Sequence, residues 1–525
     1  MATPNGRPST AAHGTGRPHV VVLGAGVCGL YAARTLAGRG ARVTVLEKAE
    51  IVGGLAGGRE RNGNHYDFGV HQLHAFDAAI FEDIRALMGD RLIPTQKAAL
   101  IRYGDGYRRY PLEFFDLLTG IPAWTLARAM AGLVAQQVVN RLRPGPPPAN
   151  AEEALIQLYG RPLYGFFFRD FTHRYWGIPP AELSAAFVRS KMPRLSAVDV
   201  VKKALSRFGV KDDAGTAVES ALRDETLWYS RTGAREMPMA LADAIAARGG
   251  EVRLNATVTA VVVDAQRTDD GARRIRAVRY VDGDGAGHEI ACDACLSTIP
   301  VSALVRALGD DAPADVRTAG AALRHKAVAV YGLLVKKPRV LDAQYVYYRD
   351  RIFHRIAEPS NSGMEVQPAG HTVVLVETTC DVGDDRWNGG DATRQRIVAD
   401  MQAEGLLAPE DIVEWHHFAD AHAYPVFDLG FELHLARIEA HLAAFTNLRS
   451  TGRQGAFCFP NMHGAMRMGA DTAVSMLAAL DAAGVPGDAP AAADTPAGDG
   501  SRVPSPAALG EPAVVPQPAA PAALP

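Results

Sequence analysis

Cysteine is scarce in this chain of 525 residues. Five of them, an odd number, make no disulfide framework and suit a reducing compartment, so a cytoplasmic location is expected. A charge excess is also lacking. Lys+Arg 55 stand against Asp+Glu 58 for a formal net charge of -3, with no basic cluster, which argues against a nucleic-acid partner. No run of about twenty uncharged apolar residues occurs, so no transmembrane helix is expected. Residues 1–18 are polar and rich in Gly, Pro, Ser and Thr, without the apolar core of a signal peptide. What is present is an ordinary globular composition, 48% hydrophobic and 22% charged, in a chain long enough for two or more cooperating domains.

The pattern along the chain is interleaved. Residues 1–17 read as a disordered leader, and 484–525, dominated by Ala, Pro and Gly, as a tail with too few large apolar side chains to offset its ordering entropy. A βαβ start over 18–75 precedes a mostly helical block over 76–225. Strands are expected near Glu251–Val263, Arg274–Tyr280, His288–Thr298, Lys326–Val335 and His371–Cys380, and a last helix after His463. The Pro-rich break at 143–150 ends an Ala/Leu/Val-rich helix over 122–142. Packing on the substrate domain is the expectation for that helix, and a peripheral membrane face the alternative.

His19 to Leu23 is a short β-branched run that reads as a buried parallel strand. It feeds Gly24-Ala-Gly26-Val-Cys-Gly29 and then an Ala/Leu-rich helix; the next strand closes on Glu47. Gly24 permits the turn, Gly26 lets backbone approach a pyrophosphate, and Gly29 lets helix pack close to strand. Glu47 is placed to accept hydrogen bonds from a ribose and would repel a 2′-phosphate. A nucleotide site follows. Gly283, Gly285 and Gly287 lie between strand-like runs and read as a hairpin turn, so no second dinucleotide domain is expected.

After Glu47-Lys48 come Gly53-Gly54 and then Tyr66-Asp67-Phe-Gly69-Val-His71. This series resembles the FAD fingerprint of the superfamily that contains amine oxidases, protoporphyrinogen oxidase, phytoene desaturases and UDP-galactopyranose mutase. The 255–261 and 296–300 segments resemble further cofactor-domain strands of that superfamily. The resemblance implies an α/β fold: a Rossmann-type FAD-binding domain from discontinuous segments (18–75, 226–300 and 441–483), with an inserted mixed α+β substrate domain (76–225 and 301–440). It implies FAD held by Gly24, Gly26, Gly29, Glu47, Lys48, Gly53, Gly54, Gly69, Val258 and Met462, and no metal is expected.

The mutase branch is the most similar. Gly69-Val-His71-Gln-Leu-His74 resembles its flavin-facing segment, Phe171 to Gly177 its Tyr-Thr-x-x-x-Trp-Gly stretch, and Phe353 to Asn361 the strand with one diphosphate-binding arginine. His71, His74 and Arg355 are therefore the candidate catalytic groups, and Trp176, Lys191, Arg355 and Tyr424 the candidate substrate contacts. Arg355 and Lys191 point to a small-molecule substrate of anionic character. Lys191 stands where the branch has a second diphosphate-binding arginine and lacks its planar fork. Phe457 and Phe459 replace tyrosines, and His463 replaces an acid.

These departures favour an FAD-dependent oxidoreductase of the protoporphyrinogen oxidase/amine oxidase kind, taking a hydride from its substrate onto flavin N5. A non-redox nucleotide-sugar mutase is the first alternative, and a flavin-binding protein without catalysis the second. Cys292-Asp-Ala-Cys295 lacks the partners of a zinc or thioredoxin site. Asp67 reads as a structural acid.

Overall fold

The computed structural model describes residues 17–103, 106–110, 122–143, 145–191, 225–266 and 271–484. The expected leader and tail, apart from Arg17 and Gly484, lie outside the described residues.

The run His19–Leu23 is wholly buried and sits at the centre of a five-stranded parallel sheet. Arg42–Leu46 and then Glu251–Arg253 lie on one side, Ala294–Ser297 and then Leu448–Ser450 on the other. Strands more than 400 residues apart thus share one sheet, as expected for a Rossmann-type domain assembled from discontinuous segments. Helices Val27–Gly38, Glu236–Ala246 and Met462–Ala482 join its valine-rich strands in one apolar cluster.

Two expected strands are divided, because the chain changes sheets within them. Glu251–Arg253 belongs to the parallel sheet, while Thr257–Val263 starts a separate antiparallel sheet; Asn255, with a φ of 51°, turns the chain between them. Likewise Gly287–Ala291 closes that three-stranded sheet and Ala294–Ser297 enters the parallel one. The glycines at 283–287 do form the hairpin that joins Ile275–Val281 to Gly287–Ala291.

The second large layer is a seven-stranded sheet, in the order Ile412–Pro425, His325–Val335, Thr372–Cys380, Arg355–Ala357, Tyr345–Tyr347, Ala99–Tyr103 and Gly106–Arg109. Its last two strands come from the 76–225 block, so that block also builds sheet. Helices Ala151–Leu163, Arg169–Trp176 and Ala185–Lys191 join Phe427 and Phe431 in a further apolar cluster.

Candidate active site

A cavity of about 560 Å³ opens at the carboxyl ends of the parallel strands. Its walls begin where each strand stops: Gly24 after Leu23, Glu47 after Leu46, Ala256 shortly after Arg253, Thr298 after Ser297, and Arg453 shortly after Ser450. The strand order reverses here, which is where such sheets bind nucleotides. The volume lies within the range usual for cofactor sites, roughly 300–1,000 Å³.

Gly24 has a φ of 96°, and its N–H donates to the Leu46 carbonyl at 2.8 Å. The next helix starts at Gly26 without a side-chain cap, leaving first-turn N–H groups available to an anion. A Cβ on Gly26 would meet nothing within 4 Å, so the space beside it is open. Gly29 differs: a Cβ there would collide with the Gly24 carbonyl oxygen, and Gly29 is off the cavity wall. Gly53, at φ 110°, donates its N–H to Ala25 at 2.8 Å and bridges to Gly26. Glu47 accepts from the N–H groups of Ala25 at 2.7 Å and Ala49 at 2.9 Å while facing the cavity. Lys48, Gly54, Val258 and Met462 are also on the wall.

The lining also carries the polar residues His71, Asp420, His422, Arg453 and Gln454. His71 is set by the 67–71 loop, whose anchor is Asp67. This carboxyl is fully buried, takes the Ala234 N–H at 3.0 Å and the Tyr229 hydroxyl, and is pushed up to about 6 by burial. Gly69, at φ 123°, faces away from the cavity: a Cβ there would come 2.8 Å from the Glu377 carboxylate. Glu377 holds Arg355 through two hydrogen bonds of 2.6 Å. The surrounding protein and the nearby Arg355 and Arg453 charges push His71 down to about 3, so its ring is neutral.

The remaining expected site residues lie elsewhere. His74 pairs with Glu225 at 2.7 Å and stacks on Phe76, away from the cavity wall. Both histidines cannot face one site, because the loop turns between them. Trp176 is 5% exposed and packs edge-on to Phe187 and Phe459; Tyr424 lies behind it, against Tyr175. Arg355 is off the wall, its fork turned to Glu377. The Lys191 side chain lies outside the described residues. Sequence reasoning missed Thr298, Arg306, Asp420, His422, Arg453 and Gln454 as wall residues. The signal available for Thr298 and Arg453 was their position just past a strand end.

These residues fit FAD: glycine backbone and an uncapped helix end for the diphosphate, Glu47 for a ribose, and a cavity of sufficient volume lined by further polar side chains. Sheet and cavity together define an FAD-binding flavoprotein. The profile of flavin containing amine oxidoreductases matches residues 27–402, and the chain belongs to this family of FAD-dependent oxidoreductases. A phytoene dehydrogenase of Streptomyces griseus is 43% identical over 90 residues, 17% of this chain and 17% of that relative. The chain thus aligns with only a small part of that relative's length. Among solved structures, reduced UDP-galactopyranose mutase superposes with a TM-score of 0.68 at 19% identity, covering 88% of this chain and 94% of the other. A putrescine oxidase with redesigned cofactor binding gives 0.57 at 16% identity, covering 88% and 99%. Both show a shared fold.

Proposed function

We propose that this chain oxidises a small molecule by passing a hydride to FAD, with the substrate admitted on the His71, Arg453 and Gln454 side of the cavity. Bound FAD supplies the electron acceptor; the chain supplies placement and local charge. With Nδ1–H donating to the Gly69 carbonyl at 3.3 Å, the neutral His71 ring offers Nε2 as an acceptor for orienting the substrate without adding positive charge. Lys48 and Val258 are assigned to the adenosine end with Glu47, and Met462 to the wall beside the ring.

One observation favours oxidation over the mutase reading. Arg355, the arginine resembling a diphosphate ligand, is bound to Glu377 by two 2.6 Å hydrogen bonds that occupy its Nε/Nη2 edge and offset its charge, and it is off the cavity wall. Phe457 agrees with this, being buried among Phe427, Phe431 and His325.

The purified protein is expected to be yellow. A panel of amines, polyenes and porphyrinogens, added one by one without oxygen, should include a compound that bleaches the oxidised-flavin band, with one product formed per flavin. Incubation with UDP-galactopyranose under strong reductant should yield no furanose isomer. Appearance of that isomer would overturn the proposal in favour of the mutase reading.

A further inference from the structure

The helix Ala123–Leu142 is apolar on the side turned to solvent as well as in its seat. Its inward face buries Ala129 and Leu133 and carries amide groups beside them. Gln137 donates to the Leu158 carbonyl at 3.1 Å, Asn140 to the Gln157 carbonyl at 2.7 Å, and Gln136 to Asn140 at 3.0 Å. Close packing holds this face down: a Cβ on Gly132 would come 2.7 Å from Pro162, and one on Gly160 would come 2.6 Å from the Gly132 carbonyl oxygen. The helix is therefore seated on Ala151–Leu163 by a face that mixes small apolar and amide side chains.

Its outward face is apolar. Trp124 is 78% exposed and Leu142 75%, with Val134, Val138 and Val139 exposed between them. Ala127, Ala131 and Ala135 fill the stripe, and they are exposed too. At about 100° per residue these positions, Val139 apart, fall on one face, with Arg128 on one flank and Arg141 on the other. Residues 122–143 hold no Asp or Glu. Arg128, Arg141 and Arg143 are exposed, and none has an acid partner among the described residues. A globular helix ordinarily turns charged and polar residues to water where this one shows an apolar stripe.

We infer that this face lies in the headgroup region of a membrane with anionic lipids. At about 1.5 Å per residue the helix offers an apolar strip on the order of 30 Å long. An aromatic ring at one end and arginines along both edges suit the interface, where the ring sits among headgroups and each guanidinium reaches phosphate. A second copy of the chain is a poorer occupant. Two-fold pairing of this face would bring like-charged arginine edges together with no acid on either side. Among the described residues no helix is long and apolar enough to cross a membrane, so the contact is peripheral.

The test is co-sedimentation of the full chain with vesicles of phosphatidylcholine alone and with added phosphatidylglycerol. The full chain should pellet with the anionic vesicles and be released by salt. Val138→Asp should abolish binding, and Arg128→Glu or Arg141→Glu should each weaken it about fivefold or more. Far-UV circular dichroism should be unchanged in all three, since these side chains are exposed. Binding indifferent to Val138→Asp overturns the inference. So does a chain that ignores vesicles, whether it is monomeric or runs as a dimer that Val138→Asp splits.

Discussion

Arg355 and Glu377 face each other across neighbouring strands and lock through two parallel 2.6 Å hydrogen bonds, with Glu377 1% exposed. The guanidinium also lies over the rings of Tyr345 and Tyr347. Such a pair is stable only while both charges are present. Removing one partner leaves a buried charge uncompensated, at a cost of about 3–5 kcal/mol, whereas apolar replacement of both is far milder. Glu377→Leu should therefore lower unfolding stability by that order in urea titration, and Arg355→Met with Glu377→Leu should recover most of it. A double variant as unstable as the single one would show that the pair's charge is not the cause.

Gly26 and Gly29 belong to one motif but answer different demands, and substitution should separate them. A Cβ on Gly26 enters open space in the cavity, while one on Gly29 meets the Gly24 carbonyl oxygen. Gly26→Ala should leave the melting temperature of the flavin-free protein nearly unchanged and weaken FAD binding, read by quenching of flavin fluorescence. Gly29→Ala should lower the melting temperature of the flavin-free protein itself. Equal melting losses in both variants would refute the distinction.

Asp67 should impose a pH dependence on stability. Burial raises its carboxyl to about 6 from an ordinary 3.8. Between these values the folded chain keeps a proton that the unfolded chain has released, so stability falls as pH rises through this window. The size is about 3 kcal/mol for a shift of roughly two units. Asp67→Asn keeps an acceptor for Tyr229 and Ala234 but cannot ionise. Relative to the unsubstituted protein it should gain by that amount between pH 4 and pH 7 in urea titrations. Parallel curves for the two proteins would exclude Asp67 as the source.

What could be read in advance follows from what kind of constraint each residue obeys. Gly24, Gly26, Gly53 and Glu47 serve a backbone path made within some thirty residues, and local sequence specifies that path. Arg355 shows the opposite case. Its identity was legible, but its partner lies 22 residues on, in a strand whose register no local pattern reveals. His74 and Trp176 lie off the cavity wall for a related reason: the pairing of His74 with Glu225 and the packing of Trp176 on Phe187 are products of tertiary structure. The helix at 122–142 was expected from its composition. Which of its faces packs on Ala151–Leu163 is a tertiary choice that composition does not reveal.

His71 provides the last prediction, since it combines a site position with a displaced titration. Burial, then Arg355 and Arg453, push it down to about 3 from 6.5. The folded ring is neutral where the unfolded one takes a proton, so its contribution to stability is complete above pH 6.5 and is lost as pH falls toward 3. Two measurements follow. The His71 ring signal in nuclear magnetic resonance, assigned by its loss in His71→Gln, should stay fixed from pH 5 to pH 8. The pH profile of flavin bleaching by any identified substrate should keep the same inflections in His71→Gln, even where the rate falls, because a ring that is already neutral adds no step in that range. A His71 signal that moves near pH 6.5, or an inflection that disappears with the substitution, would mean that the ring takes up a proton within the working range and is not the neutral orienting group assigned to it.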